Sequence, residues 1–282
     1  MKGRARMLLA GERAMGMSWL PLRAARACGP VADAQEPLAA DVALGETPCT
    51  SAYGVGEKAM TDGVPVFGGP EQALSAVPKL SREEKSNRLG AMDEEEVKVC
   101  RRCRLCETRR HTVFGEGDPE GAIFFIGEGP GESEDLSGRP FVGRAGQKLD
   151  DMIAAMGLAR AEVYIGNIVK CRPPQNRVPA PDETAACTPY LVRQIEIVQP
   201  KVIVSLGLPA TKYLTGSTVG ITRLRGQWHS WRGIKLMPTY HPSYILRCYT
   251  SDVRKAVWSD LQKVMTEVGL KLPERRGNRG GG

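Results

Sequence analysis

The chain has 282 residues, 41% of them hydrophobic, and a formal net charge of +7, which allows one large or two small domains and makes a polyanionic partner plausible. No apolar run approaches the ~20 residues of a membrane helix, which argues against a membrane-spanning chain. Eight unevenly placed cysteines are too few for a disulfide scaffold. They indicate a metal site in a reducing compartment, and we expect a cytoplasmic protein.

The N-terminal segment, residues 1–92, is rich in Ala, Gly and Pro and has no sustained period of 2 or 3.6. Its basic start resembles a targeting peptide, but the apolar run Met7-Leu-Leu-Ala10 is shorter than a secretory signal requires. We predict a disordered extension, with Met92 as an alternative start of the protein. The basic, glycine-rich tail, residues 273–282, is also predicted to be disordered.

The folded domain is predicted to span residues 93–272 and to begin with an acidic helical turn that leads into the cysteines. The apolar patterns then predict alternating strands and helices. Strands are predicted at 123–126, 163–169, 202–206 and 234–238, and helices at 146–156, 182–198, 209–214 and 252–268, the last capped by Ser251. This alternation predicts an α/β fold with a mostly parallel sheet covered on both faces.

Three loops with unusual chemistry, 127–143, 167–172 and 239–243, each follow a predicted strand and should converge at one sheet edge. The first begins Gly127-Glu-Gly-Pro-Gly-Glu132, which matches neither the dinucleotide fingerprint nor the P-loop and is too acidic for a phosphate cradle. An acidic surface turn is the alternative interpretation. Phe141, farther along this loop, is either a stacking platform or a core residue.

The cysteines form two pairs, Cys100-x2-Cys103 and Cys171-x15-Cys187, which would suit a structural zinc or a [4Fe–4S] cluster. The wide second pair weakly favours iron. Buried free cysteines are the alternative, and Cys106 is a fifth candidate that leaves the ligand set open.

Five motifs, taken together, resemble the family 4 uracil-DNA glycosylases, the iron–sulfur branch of their superfamily, over about residues 97–270. They are Gly127-Glu-Gly-Pro-Gly131, Gly138-Arg-Pro-Phe-Val-Gly143, Asn167-Ile-Val-Lys-Cys-Arg-Pro-Pro174, Gly220-Ile-Thr-Arg-Leu-Arg-Gly226 and Tyr240-His-Pro-Ser243. The resemblance implies a three-layer α/β/α domain with a four-stranded parallel sheet. It also implies a structural [4Fe–4S] cluster on Cys100, Cys103, Cys171 and Cys187, with Cys106 outside the ligand set.

The same resemblance assigns roles in flipping out a uracil and hydrolysing its N-glycosidic bond. Phe141 would stack on the base, and Asn167 would read O4 and N3–H. His241 would donate to O2 and stabilise the departing uracil. Glu128 would orient water or favour the oxocarbenium-like sugar.

Further positions complete the predicted site. Gly129 belongs to the uracil-binding loop, and Glu134 is predicted to lie near uracil C5, where it would hinder the methyl group of thymine. Arg223, Arg225 and Ser243 are predicted phosphate contacts.

No lysine matches a Schiff-base nucleophile of the family, so we predict a monofunctional enzyme, with Lys170 the only nearby amine. The expected partner is uracil-containing DNA, single- or double-stranded, bound by a monomer without a membrane.

Other functions compete with this interpretation. A broader-lesion glycosylase of the superfamily lacks an acidic residue at the position of Glu128, and the covalently trapped branch carries a basic insert that is missing between Glu134 and Gly138. A non-catalytic iron–sulfur nucleic-acid-binding module would not need Glu128, Asn167 and His241 together. A zinc-stabilised nucleotide-binding domain would lack the visible absorbance of an iron–sulfur cluster.

Overall fold

Four parallel strands form the centre of a six-stranded sheet in the computed structural model, which describes residues 79–273. The strands are β1 (Glu116–Gly117), β2 (Ile123–Gly127), β3 (Tyr164–Asn167), β4 (Val202–Leu206), β5 (His229–Trp231) and β6 (Ile234–Thr239). The spatial order is β1-β3-β2-β4-β6-β5. The helices are α1 (Arg82–Met92), α2 (Glu132–Ser137), α3 (Arg144–Ala155), α4 (Pro181–Val198), α5 (Leu208–Thr215), α6 (Ile221–Leu224), α7 (Pro242–Arg247) and α8 (Ser251–Val268).

The central strands are the four that the sequence predicts, and both edge strands were missed. β1 pairs with β3 and β5 pairs with β6, each in the antiparallel direction, so the sheet is mixed. β1 has two residues and β5 has three, too few to show a hydrophobic period.

Helices cover both faces of the sheet, as predicted for an α/β fold. Phe124, Ile126 and Ile203 point to one face, where buried residues of α1, α4 and α5 pack. Phe125 and Val204 point to the other, where buried residues of α3, α7 and α8 pack. This alternation follows from the two-residue period of a strand, and it leaves the central strands buried on both sides.

The folded part begins earlier than the predicted boundary at residue 93. Ser81 and Glu84 form a capping box at the start of α1, and Leu89 and Met92 are buried in the core. The buried Lys85 also donates to the Val198 carbonyl at 3.0 Å. The disorder predicted for residues 1–78 and 274–282 falls outside the described residues.

Three local predictions are wrong. The acidic run continues α1 as a π-helical turn, Asp93–Val97, instead of starting a new helix, and the cysteines follow it. The short helix α2 lies within the predicted loop 127–143, and α6 has no predicted counterpart. The cap of α8 is Thr250, whose side chain accepts from the Val253 amide, and not Ser251.

The predicted convergence of the three loops is confirmed. Gly127 lies opposite Asn167 in the β2–β3 pair, and Leu206 lies opposite Thr239 in the β4–β6 pair. The chain therefore leaves β2, β3 and β6 at the carboxyl edge of the sheet. Between residues 79 and 273 there is no helix long and apolar enough to span a bilayer.

Candidate active site

Asn167 is the last residue of β3, at the carboxyl edge of the sheet. Its side chain is buried, with the residue 1% exposed, and the oxygen of its amide, Oδ1, accepts no hydrogen bond from the described residues. A Cβ on Gly127 would lie 2.4 Å from this oxygen, so only glycine lets the carboxamide lie so close to β2. A buried acceptor without a partner costs about 1–3 kcal/mol. It is therefore a position where a ligand N–H would be bound.

Phe141 borders the same space. A Cβ on Gly127 would also lie 2.6 Å from Phe141 Cζ, so the ring and the Asn167 amide flank one glycine. The ring centroid lies 5.9 Å from that of His241, with the two planes inclined by 34°. Phe141 is 6% exposed and belongs to the hydrophobic core, so it is both a core residue and a candidate platform.

His241 precedes α7 as its cap, with a defined protonation state. Its Nδ1 accepts from the Ser243 backbone N–H at 3.1 Å and lies 2.7 Å from Ser243 Oγ. Because a backbone amide can only donate, Nδ1 carries no proton, and the neutral ring has its proton on Nε2. Burial, aided by Arg247, lowers the His241 pKa to about 4, so this tautomer persists at neutral pH.

Glu128 follows β2 directly and lies partly buried in the glycine loop. Burial raises the pKa of its carboxyl to about 7. The Val169 amide donates to the Glu128 carbonyl at 3.2 Å, which ties the loop to the segment that follows β3. A Cβ on Gly129 would lie 2.8 Å from Val169 Cγ2, so this glycine keeps the two segments close.

The Glu134 carboxylate binds the backbone of its own loop. It accepts from Val142 and Gly143 at 2.9 Å each and from Gly131 at 3.1 Å. These hydrogen bonds from Glu134 therefore stabilise the conformation of the segment that carries Phe141. Its predicted effect on thymine stays a prediction.

The three predicted phosphate contacts have different surroundings. Ser243 lies beside His241, and Arg223 is exposed in α6. Arg225 forms an ion pair with the buried Asp260, with Nε to Oδ2 at 3.0 Å, and also donates to the Ala256 carbonyl. Because its guanidinium is engaged inside the domain, Arg225 is a weaker candidate for a phosphate contact than Arg223, and its predicted role stays a prediction.

All five cysteines of the predicted cluster region line one small cavity. They are Cys100, Cys103, Cys106, Cys171 and Cys187. Arg109, a residue that sequence reasoning missed, donates to Cys171 Sγ at 3.1 Å and to the Cys100 carbonyl at 2.8 Å. The Lys170 amide donates to Cys187 Sγ at 3.2 Å.

Two sulfur atoms of this cavity accept hydrogen bonds, and burial raises the pKa of some of its thiols. Within residues 79–273, no set of three or more Cys, His, Asp or Glu side chains has the spacing for one metal ion. Burial raises the pKa of the Cys187 thiol to about 12, so its deprotonation requires a strong positive charge such as a metal supplies. Arg109 and the Lys170 amide each donate to a cysteine sulfur, which would stabilise negative charge on a metal-bound thiolate.

Comparisons with known proteins point to one family. Residues 114–262 match the family model described as the uracil DNA glycosylase superfamily. The chain is 49% identical over 176 residues to a type-4 uracil-DNA glycosylase of Thermotoga maritima, covering 62% of this chain and 92% of the relative. It is 48% identical to a type-4 enzyme of Sulfurisphaera tokodaii (61% and 81% covered) and 41% identical to one of Archaeoglobus fulgidus (63% and 92% covered).

Proposed function

The chain belongs to the type-4 branch of the uracil-DNA glycosylase superfamily, and we propose that it excises uracil from DNA by hydrolysing the N-glycosidic bond, leaving an abasic site. The observation that carries the proposal is the buried, unpaired Asn167 Oδ1 at the sheet edge where Phe141 and His241 also lie. An extruded pyrimidine needs a hydrogen-bonding edge and an aromatic face, and these side chains supply both.

Asn167 selects the base through its amide. Its free Oδ1 would accept the N3–H of uracil while its NH2 group donates to O4. Cytosine presents an acceptor at N3 and a donor at C4, so both halves of the amide would be left unpaired in the pocket. Leaving buried polar groups unpaired is the strongest means of rejecting an analogue.

Phe141 offsets part of the cost of extruding the nucleotide. Extrusion costs a few kcal/mol of stacking and pairing. Stacking on an aromatic side chain returns about 1–3 kcal/mol for each base. The ring is available for this because it borders the Asn167 amide across Gly127.

His241 stabilises the leaving group. Cleavage places negative charge on the departing uracil, and the Nε2–H that the Ser243 contact enforces would donate to O2. With a pKa of about 4, the ring acts as a neutral donor and does not transfer a full proton. The Ser243 amide prevents the imidazole from adopting the other tautomer.

Glu128 acts on the sugar side of the bond. When ionised, its carboxylate would orient the attacking water or stabilise the positive charge that develops on the sugar. Its pKa of about 7 makes the ionised form available near neutral pH.

The proposed chemistry is hydrolytic and monofunctional. Lys170 is 1% exposed, and its Nζ donates to the Asn167 carbonyl at 2.9 Å and to Gln194 Oε1 at 2.5 Å. An amine buried in this way cannot reach the sugar to form a Schiff base. Water is therefore the nucleophile.

Cys100, Cys103, Cys171 and Cys187 would hold a [4Fe–4S] cluster, with Cys106 beside it. The cluster would supply a structural cross-link between the segment before β1 and the loop after β3. The protein surroundings of the sulfurs, Arg109 and the Lys170 amide, support this assignment.

We expect uracil-containing DNA, single- or double-stranded, to cross the carboxyl edge with phosphates near Ser243 and Arg223. A cytoplasmic, reducing location is proposed because the cysteines of residues 79–273 form no disulfide with one another and four of them are proposed cluster ligands. A monomer is proposed because one chain supplies every residue of the site.

The test is excision from a labelled oligonucleotide with one uracil, followed by alkaline cleavage. Wild type should produce strand breaks only after alkali. Asn167→Ala should lower the excision rate about 100-fold or more, since it removes both hydrogen bonds to the base. Asn87→Ala, an exposed change on α1, is the matched control and should behave as wild type. No cleavage by wild-type protein that shows the visible absorbance of its cluster would favour the non-catalytic binding module.

A further inference from the structure

The backbone of Phe141 is held in a conformation that bulky residues avoid. Its φ is +50°, in the left-handed region where a phenylalanine is strained. Such a residue keeps this conformation only when its surroundings enforce it. The direction of the ring depends on that backbone, so the residues that enforce it also determine where the stacking platform lies.

Arg160, in the turn Arg160–Glu162 before β3, supplies this restraint from outside the base pocket. Its guanidinium donates to the Pro140 carbonyl at 2.5 Å and to the Phe141 carbonyl at 3.2 Å. On its other side, the Phe141 carbonyl packs against Gly146 of α3, where an added Cβ would lie 1.8 Å away. The carbonyl is therefore confined between α3 and the guanidinium.

Two carboxylates fix Arg160 in turn. Its Nε donates to Glu116 at 2.7 Å and its Nη1 donates to Asp150 at 2.6 Å. Four acceptors on three segments are reached by one planar group with five N–H donors. A lysine, with its donors on a single nitrogen, cannot reach all four at once.

We propose that Arg160 is a positioning residue for excision, which acts through Phe141 by holding its strained backbone so that the ring faces the extruded base. The inference rests on the proposed function. It assigns a role to a residue outside the five motifs, in a segment whose sequence shows no chemical signal.

A double-mutant cycle tests this role. Single-turnover excision rates are measured for wild type, Arg160→Met, Phe141→Ala and the double variant, with thermal unfolding recorded for each. Phe141→Ala should lower the rate between about fivefold and about 150-fold, the range expected for one lost stacking contact. Arg160→Met should lower it at least about fivefold. The double variant should match Phe141→Ala within about twofold, because Arg160 has nothing left to position.

The matched control is Arg193→Met. Arg193 forms a bidentate pair with Glu96 and is more exposed than Arg160. It lies on α4, on the opposite face of the sheet from α3. Its excision rate should equal that of wild type. If Arg160→Met is unfolded at the assay temperature, the cycle is run with Arg160→Lys, which keeps the charge but loses the planar set of guanidinium donors.

Three outcomes would overturn the inference while wild type remains active. They are a double variant whose loss is the product of the two single losses, an Arg160 variant as fast as wild type, and a loss of equal size in Arg193→Met. Absence of excision by wild type would instead overturn the proposed function, and this inference with it.

Discussion

The ionisation of Glu128 should control the pH dependence of excision. Burial raises the pKa of this carboxyl to about 7, and the His241 pKa of about 4 keeps the imidazole neutral throughout the range of pH 5 to 9. Of the two proposed catalytic groups, only Glu128 therefore changes charge near neutrality. If its ionised form assists cleavage, the rate must rise with pH.

The size of the effect follows from the pKa. A group with a pKa of about 7 is about 10% ionised at pH 6 and about 90% ionised at pH 8. The value of kcat/KM for a uracil oligonucleotide should therefore increase about tenfold between these pH values and then level off. Glu128→Gln keeps the shape of the side chain and cannot ionise. It should be slow at every pH, and its kcat/KM should not rise with pH.

Thermal unfolding checks the pKa independently of catalysis. A raised pKa means that the folded state binds more protons than the unfolded state between the ordinary pKa of 4.5 and about 7. The corresponding stability is complete below pH 4.5 and is lost as the pH rises through 7, and Glu128→Gln should remove this loss. The role of ionised Glu128 in cleavage would be refuted if the wild-type rate did not change with pH, or if Glu128→Gln showed the same rise with pH as wild type. A rate that falls with rising pH would show that the protonated carboxyl is the active form.

Further substitutions separate pocket geometry, domain stability and DNA contact. Gly127→Ala should lower excision about 100-fold, because its Cβ would lie 2.4 Å from Asn167 Oδ1 and displace the amide by about 1 Å; unchanged activity would contradict the pocket. Arg225→Met should destabilise the domain by about 3 kcal/mol, since it removes the guanidinium partner of the buried Asp260 and leaves that carboxylate with the Thr239 hydroxyl as its donor. It should leave the salt dependence of DNA binding unchanged. Arg223→Met should leave the melting temperature unchanged and should reduce by about 1 the slope of log K for DNA binding against log salt concentration. The opposite pattern for the two arginines would support Arg225 as the phosphate contact.

The centre of the fold could be predicted because its patterns are long enough. β4 consists entirely of buried residues over Val202–Leu206, and its predicted bounds are those observed. α1 was missed because its exposed face is charged and its few buried residues, Leu89 and Met92 among them, follow an Ala- and Gly-rich segment. The capping box of Ser81 and Glu84 was the one signal that marked its start.

The residues of the site could be predicted as motifs, but their contacts could not. The resemblance names Asn167 and His241, yet the unpaired Oδ1 and the enforced tautomer depend on atoms of Gly127 and Ser243 placed by the fold. Arg225 shows the converse. An arginine in a loop suggests a phosphate contact, whereas its partner Asp260 lies 35 positions away on α8 and has no sequence pattern that links it to the loop.

Lys170 explains why cysteines matter in an enzyme that needs no electron transfer. Its amide donates to Cys187 Sγ, and its buried Nζ donates to the carbonyl of Asn167, the residue proposed to read the base. The segment from Asn167 to Cys171 therefore belongs to the base pocket at one end and to the cysteine cavity at the other. Discrimination between uracil and cytosine requires an amide that cannot turn or shift, because a mobile amide would adapt to either base. The proposed cluster would cross-link these cysteines and limit the motion of this segment, and would so contribute to base selection through geometry.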